Sequence, residues 1–131
     1  MRNFLACALL MLSTPAGAYV FIENYADWQQ MSREMKAFYV VGVWDRGANL
    51  SPVDAGPYDE ALHEGFKMCA LVIGLNADTL IRAVDTYYQD RADERNQPPF
   101  IVLTKAMIRE CEPQINQARR QRGLKPLNLR R

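Results

Sequence analysis

From Asn24 onward, apolar positions recur at three- and four-residue steps, the period of a helix packed on one side. Trp28, Met31, Met35, Phe38 (or Tyr39) and Gly42 form the first such stripe, and Gln29, Gln30, Arg33, Glu34 and Lys36 fill the other face. The spacing predicts one helix over about 25–44. It stops at Asp45-Arg46-Gly47, where a glycine suits a helix C-terminus. Residues 48–57 hold Asn49, Ser51, Pro52, Asp54, Gly56 and Pro57, which favour turns over regular structure. An irregular interior segment of this kind is a candidate contact loop. Its candidate partner-binding residues are Asn49, Ser51, Asp54 and Tyr58; a plain connector is the alternative.

The next stripe, Leu62, Phe66, Cys69 and Ile73, steps by four, three and four and predicts a helix over about 58–73 that Gly74 stops. Asn76 is a good N-cap, and Asp78 complements the dipole of the following turn. Leu80, Ile81, Val84, Tyr87 and Tyr88 then form a third stripe, with both tyrosines expected in the core. The charged run 89–97 ends at Pro98-Pro99, which suit the first turn of a fourth helix. Phe100, Leu103, Thr104, Met107, Ile108 and Cys111 carry its apolar face, and Pro113 ends or kinks it before a further helical stretch to about residue 121. No strand alternation and no internal repeat appears. The predicted class is all-α, a small bundle of four to five short helices.

The N-terminus changes the reading of the cysteines. Arg2, the apolar run from Phe4 to Leu12 and Ala16-Gly17-Ala18 have the order of a secretory signal peptide cut after Ala18. The apolar run falls short of the roughly 20 residues that a membrane span needs. Removing residues 1–18 removes Cys7, so Cys69 and Cys111 remain, an even count suited to an oxidising, periplasm-like compartment. Both lie on inward stripes of different helices. One disulfide stapling the second helix to the fourth is expected, with two separate buried thiols as the alternative.

Charge divides the rest of the chain. Residues 19–118 carry nine Lys/Arg against fifteen Asp/Glu, whereas 119–131 carry Arg119, Arg120, Arg122, Lys125, Arg130 and Arg131 with no acid. The expected organisation is a signal peptide (1–18), a helical domain (19–118) and a basic, disordered tail (119–131). The tail's other reading is attraction to anionic lipid or an acidic partner. Nucleic acid is a poor partner for an exported chain, and stable membrane insertion is not expected.

Candidate chemistry is sparse. His63 is the only histidine, and a disulfide would remove both thiols as nucleophiles. Asp59, Glu60 or Glu64 beside His63 do not complete a familiar metal constellation. No phosphate loop, H-E-x-x-H or C-x-x-C occurs. The expectation is no catalytic residue, no metal, no cofactor and no enzyme. Arg82 with Asp85, and Glu34 with Lys36, are expected as surface pairs.

A signal peptide, a helix with Trp28 and Lys36-Ala37-Phe38-Tyr39-Val40-Val41-Gly42, Cys69, a helix with Leu80 and Val84-Asp85-Thr86-Tyr87-Tyr88, two prolines, and a helix ending at Cys111 follow one another. This arrangement resembles the Rap/Tai family of periplasmic immunity proteins that accompany type VI secretion amidase effectors, over about residues 27–111. The resemblance implies an all-α domain, often a homodimer, that binds a secreted peptidoglycan amidase and blocks its active site. Ala70-Leu71-Val72-Ile73-Gly74 lacks the proline associated with the family's turn, and the basic tail has no counterpart. The alternative function is a periplasmic stress or chaperone-like protein without a dedicated effector.

Overall fold

The computed structural model describes residues 21–49 and 55–129. The expected signal peptide at residues 1–18, Ser51, Asp54, Arg130 and Arg131 lie outside the described residues. Within them the protein is all-helical, with six α-helices and one 3-10 turn.

Asn24 opens the first helix, α1 (Tyr25–Gln30), its side chain accepting from the backbone N–H groups of Ala26 and Asp27. The expected single first helix breaks at Met31-Ser32. There Ser32 Oγ accepts from the Met35 N–H at 3.2 Å and α2 (Arg33–Asn49) begins. The Trp28-Met31-Met35 spacing keeps the helical period across the break, so the pattern alone conceals it. α2 also runs past Gly47 to Asn49. Ala48, in this last half-turn, is buried in the core.

The following boundaries match their sequence signals. α3 (Pro57–Ile73) has its proline in the first turn and ends at Gly74, whose φ of 60° is the left-handed cap conformation. α4 (Ala77–Asp90) starts from a reciprocal cap between Asn76 and Thr79. The 3-10 turn Ala92–Glu94 leads through Pro98 to α5 (Pro99–Glu110). Cys111 separates α5 from α6 (Glu112–Gln121), which has Pro113 in its first turn. Two helices thus replace the expected first, and α6 is the further stretch expected after Pro113, giving six α-helices among the described residues.

α3 and α6 form the most extensive helix pair. They run antiparallel: Cys69 is bonded to Cys111 with Cα atoms 5.4 Å apart, Gly65 lies against Ile115, and Glu64 meets Arg122 at 2.6 Å. The disulfide therefore staples α3 to the start of α6, immediately after α5. α4 packs on α5, and α2 crosses α3, α4 and α5. Trp28, Val40, Phe66, Leu80, Val84, Tyr88, Val102, Leu103, Met107 and Ile115 fill the space between, together with both cysteines. Tyr87 and Tyr88 are both buried, as the stripe predicts.

The chain does not leave the domain at residue 118. Residues 122–129 fold back along α6. Asn116 accepts from the Leu127 N–H at 2.6 Å and donates to the Leu127 carbonyl at 3.2 Å, while Arg119 Nε donates to the Lys125 carbonyl at 2.6 Å. The carboxylates of Glu60 and Glu64 draw in Arg122. The basic segment expected to be disordered is therefore pinned as far as it is described. No described helix is long and apolar enough to cross a membrane.

Candidate interaction surface

A groove of about 620 Å³ runs between α4 and α5 and is closed at one end by the α3–α4 turn. Its floor includes Ile73, Leu75, Ala83, Tyr87, Ala106 and Met107. α4 turns Leu80, Val84 and Tyr88 into the core, which leaves the small Thr79, Ala83 and Thr86 on its flank, with Ala106 among the α5 residues that line the groove. Where two helices meet through small side chains, a depression remains. Arg82, Asp90, Arg109 and Glu110 stand along the rim. The Arg109 guanidinium lies 4.9 Å over the Tyr87 ring, whereas Arg82, Asp90 and Glu110 enter no ion pair among the described residues. Beside Ile73, at the end of α3, Leu71 is 86% and Val72 70% exposed. The groove and these two side chains make an apolar floor and lip with a charged rim, the composition of a recognition surface.

Glu94 ties together the far side of this surface. Its carboxylate accepts from the Tyr87 hydroxyl at 3.1 Å, binds Lys105 of α5 and meets Arg91 at 3.0 Å. The hydrogen bond from Lys105 holds the Glu94 carboxyl below the ordinary carboxylate range, and the reciprocal bond raises Lys105. Burial first, and the Glu94 contact second, push the Tyr87 phenol up.

The second exposed apolar face belongs to α2. Its inward side is Val40 and Ala48, with Tyr39, Val43 and Trp44 packed against the core. The stripe expected inside, Met35, Phe38 and Gly42, points outward: Phe38 is 82% exposed, and nothing lies within 4 Å of a β-carbon built on Gly42. The alternative position Tyr39 is the one packed against the core. Phe100 and Thr104, expected on the buried face of α5, are exposed as well, while Val102 is buried instead. The break at Met31-Ser32 rotates α2 relative to α1, and the register inferred from Trp28 does not carry across it.

The expected surface pairs are replaced by a cluster around Trp28. Its buried indole donates from Nε1 to Asp85 Oδ1 at 2.7 Å, and Lys36 Nζ sits 4.8 Å from the ring centre. Asp85 is thus held by Trp28 rather than by Arg82, and Arg33 pairs with Asp78 of α4 at 2.9 Å.

Of the residues proposed for the 48–57 loop, Asn49 closes α2 and Tyr58 occupies the first turn of α3, exposed and 5.1 Å beneath the Arg119 guanidinium. Tyr58 and Val72 are separated by about 21 Å of helix, so the structure does not bring Tyr58 and the groove together. His63 is half-buried, and its Nδ1 is enclosed without a partner. Glu60 and Glu64, considered beside it as metal ligands, turn instead to Arg122. Among the described residues no group of three or more potential metal ligands comes together. Comparison with known proteins finds no matching family model, no matching curated protein and no matching solved structure.

Proposed function

We propose that this protein is an exported, non-enzymatic binding module whose partner is a protein, and that the partner is a secreted peptidoglycan amidase of the type VI secretion class. The observation that carries the reading is the α4–α5 groove with its Leu71–Val72 lip. It is an apolar recognition surface on a small helical body that a disulfide staples. Exposed apolar side chains rimmed by charge mark an interaction site. The disulfide suits an oxidising compartment. The signal-like segment at residues 1–18 and the resemblance over 27–111 supply the compartment and the partner class.

In this reading the amidase inserts an apolar element into the groove, and Arg82, Asp90 and Glu110, which have no ion-pair partners among the described residues, set its orientation. Inhibition follows by covering the amidase cleft. Co-purification with a secreted peptidoglycan amidase, together with protection of cells that export that amidase, tests the proposal. Leu71→Glu with Val72→Glu is expected to abolish both without lowering the melting temperature. A wild-type chain that neither binds nor protects removes the amidase reading. Binding of unfolded clients on acidification, in the absence of amidase binding, favours the stress-protein alternative.

A further inference from the structure

A second pocket, of about 420 Å³, lies between the start of α2 and the first half of α4. Its charges divide into two sets. Arg33 and Asp78 neutralise each other, both Asp78 oxygens accepting from one Arg33 nitrogen at 2.9 Å. Lys36, Arg82 and Asp85 line the same pocket but enter no ion pair among the described residues. The fold keeps these three apart. Half-buried Lys36 rests over the Trp28 ring, its Nζ 4.8 Å from the centre. Half-buried Asp85 accepts from Trp28 Nε1 through Oδ1 at 2.7 Å, and its Oδ2 has no hydrogen bond among the described residues. Arg82 has a carboxylate four residues before it and another three residues after it on α4, the spacings at which helix side chains meet. Those carboxylates, Asp78 and Asp85, are the ones that Arg33 and Trp28 hold.

We infer that this pocket binds the free α-amino carboxylate head of an aliphatic amino acid. Lys36 and Arg82 receive the carboxylate, and Asp85 Oδ2 accepts from the ammonium group. Met31 and Ile81, which also line the pocket, supply apolar surface for the side chain. Charge complementarity selects this class of ligand. A bare anion meets the Asp85 charge, and a bare cation meets Lys36 and Arg82. A zwitterion satisfies all three, with charge-assisted hydrogen bonds to each. The volume falls within the range of about 300–1,000 Å³ usual for small-molecule sites. Solvent-exposed ion pairs contribute little individually, so a dissociation constant of about 1 mM is expected.

Arg82 also stands on the rim of the α4–α5 groove, but the head-group site uses neither Leu71 nor Val72. It stands or falls separately from amidase recognition. Leu71→Glu with Val72→Glu should leave amino acid binding intact.

Titration of isotope-labelled protein with L-leucine at constant ionic strength is the experiment, read by NMR at the indole N–H groups of Trp28 and Trp44. The Trp28 signal, whose proton is bonded to Asp85, should shift with half-saturation at about 1 mM. Trp44, packed on Phe66, should not move. N-acetyl-leucine and leucine methyl ester each lack one of the two charges and should bind at least about tenfold more weakly. Arg82→Gln should weaken leucine binding by about tenfold with an unchanged melting temperature, because Arg82 is exposed and unpaired; Lys36→Gln should weaken it as well. Asp85→Asn keeps an acceptor for Trp28 but removes the charge, so it should lose leucine and gain N-acetyl-leucine. Nε-acetyl-lysine carries the same head on a longer, capped chain; its binding extends the class to such chains, and its failure restricts the class to small free amino acids. No saturable Trp28 shift below about 20 mM leucine overturns the inference. So does equal binding of leucine and N-acetyl-leucine, and so does leucine binding that is indifferent to Arg82→Gln.

Discussion

Gly65 of α3 lies so close to Ile115 of α6 that a β-carbon at residue 65 would stand 2.5 Å from the Ile115 Cα and 2.8 Å from its backbone nitrogen. The contact is backbone, not the end of a flexible side chain, so it cannot yield without moving one helix. Gly65→Ala is therefore expected to destabilise the protein by about 1–3 kcal/mol, the usual range for overpacking. Gly47 provides the internal control. It lies in α2 with nothing within 4 Å of a built β-carbon, so Gly47→Ala should raise stability by about 0.8–1 kcal/mol through helix propensity alone. Opposite shifts in thermal midpoint for the same chemical change are the expected result.

Four residues along α3 from Gly65, the Cys69–Cys111 bond fixes the same helix pair, closing a loop of 42 residues between two fully buried sulfurs. Thiol titration of the oxidised protein under denaturing conditions should find neither Cys69 nor Cys111 free. Replacing Cys69 and Cys111 together by serine should cost about 2–5 kcal/mol, read as a lower denaturation midpoint. Chain entropy is only part of the expected loss. The serine hydroxyls would also enter a site where both sulfurs have no contact with water.

Trp28 joins α1 to the bundle, and its indole nitrogen has one acceptor, Asp85. Asp85→Ala leaves that buried donor unsatisfied and should cost about 1–3 kcal/mol. Asp85→Asn retains an acceptor oxygen and should cost less. Tryptophan emission should move to longer wavelength in the alanine variant as water reaches the ring. Equal stability of the two variants would show that the bond contributes little.

Element starts and stops were legible wherever a residue carries its own mechanism. Asn76 caps α4, Gly74 takes the left-handed angle after α3, and Pro99 opens α5, each from local chemistry that needs no tertiary context. The staple was legible for a related reason: Cys69 and Cys111 fall on the inward side of clean stripes. The misplaced face of α2 has one cause. The three-residue step from Trp28 to Met31 and the four-residue step to Met35 keep a helical period through the break between α1 and α2, so the pattern offered Phe38 as well as Tyr39 for the inside, and Phe38 points out. Ser32, three residues before the Met35 N–H it caps, was the available signal. The groove was not legible, because Ala83 and Ala106 become a depression only when α4 and α5 are paired. The pinned segment 122–129 escaped for the same reason: its partners, Asn116 and Glu64, are set by the fold.

The ionic hub at Glu94 sets how the fold responds to pH. Glu94 is held below the ordinary carboxylate value by the Lys105 hydrogen bond. Asp93 is lowered by its bond from Arg91, and Glu34 by its own backbone N–H and Ser32. A carboxyl whose folded pKa is depressed favours the folded state once the unfolded chain is ionised, and that stability is lost as pH falls through the folded value. Stability should therefore be fully present at neutral pH and decline as pH drops below the unfolded carboxylate value of 4.5. The tyrosines act at the other end of the scale. Burial raises Tyr39, Tyr87 and Tyr88 above 10.0, so their contribution is present below that value and is lost as pH rises past it. Urea denaturation at a series of pH values should trace a plateau between these limbs. Glu94→Gln should lower the plateau and flatten the acid limb, because it removes one of the groups whose protonation drives the loss. It should leave the alkaline fall in place, since the burial that raises Tyr88, and the partial burial that raises Tyr39, are unchanged. An acid limb of unchanged slope in Glu94→Gln would show that other carboxyls govern the acid response.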